Sequence, residues 1–138
     1  MRATDRSKTL EQLENDVWGD PDVSSDLISR CHALHRKPLQ NFSAADLRIM
    51  IGQSIGLEFL VPLAIERLEA DLFIMGEYYD GDLLAAVLQA DPAFYRSNAQ
   101  VKRVVGRFAK QAAERLWELH PIDRRTIREA TACWKLNR

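Results

Sequence analysis

Residues 99–119 read Ala99-Gln100-Val101-Lys102-Arg103-Val104-Val105-Gly106-Arg107-Phe108-Ala109-Lys110-Gln111-Ala112-Ala113-Glu114-Arg115-Leu116-Trp117-Glu118-Leu119, and their periodicity decides the fold class. Val101, Val104, Val105, Phe108, Ala112, Leu116 and Leu119 recur mostly three and four positions apart, so they share one face of a helix. Lys102, Arg103, Arg107, Lys110 and Arg115 mostly take the remaining surface. A strand would alternate with a period of two, and no segment of the chain does so convincingly. This helix is expected to begin after Asn98 and to end near Pro121.

On the C-terminal side, Asp123 is placed to cap a last helix carrying Ile127, Ala130 and Cys133 or Trp134, which ends in basic residues suited to a helix C-terminus. On the N-terminal side, Asp91-Pro92 starts a short helix, with Asp as cap and Pro at the first position. Gly76-Glu77-Tyr78-Tyr79-Asp80-Gly81-Asp82 reads as a loop whose Asp82 caps the helix through Leu83 to Leu88. Proline inside a helix costs about 3 kcal/mol, which puts Pro62 in the first turn of a helix through Leu63, Ile65 and Leu68. Gly52 and Gly56 interrupt the pattern before it. Ser43-Ala44-Ala45-Asp46 is a capping box, and Leu47, Ile49, Met50 and Ile51 behind it suit a helix buried on most sides. Thr9-Leu10-Glu11-Gln12 is a second capping box, for a short helix that stops before Gly19; Asp20-Pro21-Asp22 is a turn. Ser24 or Ser25 then caps a helix bearing Leu27, Ile28, Cys31 and Leu34, which ends at Lys37-Pro38. The expectation is an all-α, single-domain bundle of six to eight helices over residues 9–138, after a flexible N-terminus of residues 1–8.

A 138-residue chain can bury roughly two thirds of the surface its unfolded form exposes, so it folds without staples. Its two cysteines, Cys31 and Cys133, form no disulfide framework and are read as reduced thiols. The polar start, Met1 to Lys8, carries no signal-peptide core, and no apolar run approaches the ~20 residues that cross a bilayer. A cytoplasmic location is the expectation, with no membrane partner. The net charge of −1 hides an asymmetry. Thr9 to Asp91 holds 15 acidic and 5 basic residues, whereas Pro92 to Arg138 holds 11 basic and 4 acidic. Two opposite poles steer charged partners even when the total is near zero.

Chemical motifs are sparse. Cys31 and His35 stand four residues apart and would share a helix face, as zinc ligands often do, but a complete site needs two more ligands. Cys133 and His120 lie in no paired spacing, so the reading is a core cysteine and surface histidines, with no metal or other cofactor. Glu77, Asp80 and Asp82 offer carboxylates without a positioned base, nucleophile motif or phosphate loop, so no catalysis is expected. The basic stripe from Lys102 to Arg115 fits a solvated helix face, a contact with the acidic half, or a nucleic-acid surface. The large acidic part argues against nucleic acid as the main ligand.

Several blocks carry a resemblance: Thr9-Leu10-Glu11-Gln12-Leu13 with Trp18-Gly19, Lys37-Pro38-Leu39, Asp46-Leu47-Arg48-Ile49-Met50-Ile51-Gly52-Gln53 with Gly56-Leu57, Pro62-Leu63-Ala64, and Tyr79-Asp80-Gly81-Asp82-Leu83-Leu84. Together they resemble the immunity proteins of bacterial contact-dependent growth inhibition (CDI) systems, over about residues 9 to 95. Asp80 departs from the pattern, where another residue type, often Pro, is expected. The resemblance implies a dedicated inhibitor that binds the C-terminal domain of a cognate toxin, commonly a nuclease, in the cytoplasm. An acidic surface suits the basic substrate site of a nuclease. Glu77, Tyr78 and Asp80, with Glu69 and Asp71, are the expected toxin contacts, because they join carboxylates to exposed-looking aromatics. Tyr79, Gly81 and Asp82 are expected to hold the loop, and Arg48 and Gln53 to form a buried polar pair at a helix junction. The competing reading is a small helical nucleic-acid-binding or adaptor protein that uses the basic C-terminal helices.

Overall fold

Hydroxyl caps open the first three helices of the protein, a computed structural model of which describes residues 4–20 and 25–137. Thr9 accepts from the Gln12 amide while the Gln12 side chain accepts from the Thr9 amide, starting α1 (Leu10–Glu14). Ser25 caps α2 (Asp26–His35), and Ser43 with Asp46 closes a second capping box at the head of α3 (Ala44–Gly52). The turn expected at Pro21-Asp22 and the alternative cap Ser24 lie outside the described residues. A 3-10 turn, Leu39–Asn41, links α2 to α3. Its Leu39 and Gln40 amides donate to the Lys8 and Arg6 carbonyls.

Gly56, left-handed at φ 63°, begins α4 (Leu57–Ala70). A Cβ there would come within 2.9 Å of the Leu10 side chain, so the close crossing of α1 also demands glycine. Pro62 sits inside α4 and not in its first turn. The reason is burial: Leu57, Leu60 and Val61, one turn before the proline, are almost fully enclosed. Each such side chain contributes about 1.5–3 kcal/mol when removed from water, which together outweighs the ~3 kcal/mol cost of one interior proline.

α5 (Asp82–Gln89) is the centre of the core, with Leu83, Leu84, Val87 and Leu88 enclosed between α3 on one side and α8 (Pro121–Leu136) on the other. α6 (Pro92–Arg96) is capped by Asp91 with Pro92 at its first position. α7 (Ala99–Glu114) lays Val105, Phe108 and Ala112 on the core and packs against α8 and α4.

α7 ends at Glu114, short of Pro121, and a 3-10 turn, Leu116–Glu118, follows. Two forces shorten it: Leu119 turns inward to a buried position, and the Arg124 guanidinium donates to the carbonyls of Leu116, Trp117 and Leu119. These bonds satisfy carbonyls of the 3-10 turn and of Leu119 behind it, and so hold the chain in the turn that replaces further helix. α8 begins at Pro121 with His120 as its cap, through Nδ1 accepting from the Ile122 amide at 3.2 Å, and not with Asp123. The eight α-helices stand among the described residues with one isolated bridge, Met75 to Asp80, and no strand. Among those residues no helix is long and apolar enough to cross a membrane.

Candidate protein-interaction surface

The loop between α4 and α5 is built around one carboxylate. Leu72 and Phe73 bury its entry, and Met75 and Asp80 face each other as an antiparallel bridge. Gly81 leaves at φ 92°, where a Cβ would lie 2.8 Å from Ile127 of α8, so glycine is required twice over. Asp82 follows, with only 2% of its side chain exposed, and its oxygens accept the amides of Gly76, Glu77 and Tyr78 at 2.5, 2.9 and 2.9 Å. Its carboxylate thus gathers the loop and does not cap the α5 amides; Gly81 occupies the cap position. Folding the loop back brings three free N–H groups to the carboxylate, which the helix's own first turn does not match.

Arg48 of α3 reaches into this loop. Its Nη2 donates to Glu77 at 3.0 Å, its Nε lies 3.7 Å from Asp82, and its guanidinium stands 4.7 Å from the centre of the Tyr78 ring. The Nε is buried with no acceptor within hydrogen-bond distance. Arg30 of α2 donates to the same Glu77 carboxylate at 3.1 Å. Hydrogen bonds from Arg30 and then Arg48 hold the Glu77 carboxyl below its ordinary range. Tyr79 is half-buried, and burial, reinforced by the Asp82 charge, pushes its phenol up. The expected Arg48–Gln53 pair is not formed: Gln53 is exposed at the C-terminal cap of α3, and Arg48 turns to the two carboxylates of the loop.

Tyr78 therefore lies with one face on a fixed cation and is 68% exposed. Met75 beside it, and Leu27 and Ile28 on α2, are also exposed. A groove of about 420 Å³ runs from Leu27 and Arg30 past Arg48 and Gln53 to Tyr78. Asp80 is exposed on the same loop. Glu69 and Asp71 are exposed but line a different groove, of about 410 Å³, with Phe108 and Arg115; Glu69 is paired with Arg107 at 2.8 Å. The five expected contacts thus fall into two places, Glu77-Tyr78-Asp80 and Glu69-Asp71. Sequence reasoning missed Arg30, for which the signal was a rare base on the outer face of a helix in an acidic half.

The cysteine and histidines of α2 also differ from expectation. His35 is a core residue, 1% exposed, stacked on Trp18 at 3.8 Å between ring centres and bonded through Nε2 to Glu14 at 2.8 Å. Trp18 folds back over α2 and covers it. Burial pushes the Cys31 thiol up, against a smaller opposing effect of Arg30. Among the described residues no three His, Cys, Asp or Glu side chains gather in a way that could hold a metal ion.

No curated protein and no solved structure matches the chain. The family model of CDI immunity proteins matches residues 12–105, which is more than half of the chain and includes Arg30, Arg48, the whole loop and α5. The chain belongs to the family of CDI immunity proteins, which carries an immunity function against CDI toxins.

Proposed function

We propose that this protein neutralises its cognate toxin in the cytoplasm by covering the toxin's C-terminal domain with the α4–α5 loop, and that the toxin is a nuclease. It acts by binding and not by catalysis. The observation that carries the reading is the Tyr78 ring: exposed, seated on Arg48, and borne by a loop whose three amides are fixed by Asp82. A rigid exposed aromatic loses little freedom on binding, which is why such residues serve as interface anchors. Asp80 contacts the toxin beside it, while Glu77 holds the loop in shape through its two arginines. Glu69 and Asp71 add to the negative field of residues 9–91, which steers a basic nuclease surface toward the loop.

The test is surface binding with the toxin domain encoded beside this protein. Tyr78→Ala is expected to weaken the complex by about 2 kcal/mol, roughly 30-fold, through faster release and with an unchanged melting temperature. Asp80→Lys is expected to slow association and leave release nearly unchanged. Wild-type kinetics for both variants would move the contact to another face.

A further inference from the structure

The face made by α4 and α7 carries charge of both signs in separate rows. Glu58, Glu66 and Glu69 are exposed along α4, and Arg103, Arg107 and Lys110 are exposed along α7. The two helices run side by side in the same direction. At one end Glu58, Phe59 and Pro62 share a groove with Val101; further along, Glu69 meets Arg107; at the far end Leu68 and Leu72 share a groove with Phe108 and Arg115. The first groove, about 820 Å³, is open; Leu13, Phe59, Leu63, Phe94 and Val101 give it apolar surface, and the charged Asp5, Arg6, Lys8 and Glu58 line it as well.

We infer that this face is a two-fold interface with a second copy of this chain. An axis lying in the interface and running along the helices turns one molecule face down on the other, so that α4 of each copy lies over α7 of its mate at the same level. Glu58, level with Val101, comes over the neighbourhood of Arg103, and Glu69 over Arg107 and Lys110. Each acidic row meets a basic row, and the symmetry supplies the contact twice, closing the assembly at two. A row of each sign is self-complementary under this operation, whereas a basic toxin surface would be repelled by the α7 row. The pairs already made within one chain, Glu69 to Arg107 and Glu66 to Arg6, are both about half exposed and contribute little alone, so they exchange partners readily.

Sedimentation velocity on the full chain in dilute salt tests this. The wild type is expected at twice its 15.8 kDa mass, dissociating as salt rises. Glu58→Arg/Glu69→Arg leaves Glu66 as the one acid of the α4 row and Arg103→Glu/Lys110→Glu leaves Arg107 as the one base of the α7 row, so the first variant carries two net-basic rows and the second two net-acidic ones; each is expected to weaken self-association more than about 100-fold. Mixed together, the two variants are expected to form a one-to-one dimer, because every row again faces its opposite. Circular dichroism verifies that both stay helical, and should either lose its fold, the single variants Glu58→Arg and Arg103→Glu, the two members of one facing pair, replace them in the same mixing experiment. A wild type that stays monomeric in dilute salt overturns the inference, as do reversed variants that self-associate normally or a mixture that does not associate.

Discussion

Asp82 binds three consecutive amides and stands beside Arg48, so one buried carboxylate holds both the shape of the loop and the seat of Tyr78. Removing it strands three amides and leaves the Arg48 charge short of a partner. Asp82→Ala is expected to cost about 2–4 kcal/mol of stability, measured by urea unfolding; a loss well under 1 kcal/mol would mean that water serves the loop as well. Glu77 gives a pH dependence of known sign. Its folded-state carboxyl titrates below the ordinary 4.5, so its contribution is complete above that value and is lost as the pH falls through the lower folded one. Glu77→Gln is expected to flatten the acid limb of the melting temperature against pH and to leave its neutral-pH slope alone. The sequence marked these residues as a loop and its holders, yet assigned Asp82 to the wrong amides. An Asp directly before Leu83-Leu84 fits a helix cap on local spacing, and only closure of the chain from Gly76 to Tyr78 offers it better donors. His35 was misplaced in the same way, since its cover, Trp18, comes from 17 positions earlier in the chain.

At the level of elements, four locally capped starts were legible, whereas the starts of α4, α5 and α8 and the end of α7 were not. Thr9, Ser25, Ser43 and Asp91 cap where the sequence puts them, because a cap depends on residues three positions away or fewer. The ends of α7 and the start of α4 depend on distant partners: Arg124 collecting carbonyls beyond Glu114, and the buried Leu57, Leu60 and Val61 extending α4 back through Pro62. Pro62 leaves the Glu58 carbonyl without its helical donor. Pro62→Ala restores that bond and is expected to raise stability by about 1 kcal/mol, the gain being reduced by the freedom alanine returns to the unfolded chain. A fall in the urea midpoint would show that the ring's packing in the α1–α4 groove outweighs the missing hydrogen bond.

At the scale of the whole molecule, helical periodicity foretold an all-α bundle, and α5 at its centre fixes the loop that precedes it against α3 and α8. The division of charge between residues 9–91 and 92–138 was readable by counting, but its arrangement as parallel rows on α4 and α7 was not, because it depends on which helices become neighbours. Membership of the CDI immunity family, together with a rigid aromatic on a loop inside the matched region, makes direct capture of a toxin the account's central claim. The most direct measurement is growth competition against an inhibitor strain delivering the cognate toxin, with target cells expressing wild-type protein, Tyr78→Ala or none. Wild-type cells are predicted to survive, and Tyr78→Ala cells at equal protein level to be protected less; wild-type cells dying at the rate of unprotected ones would contradict the account.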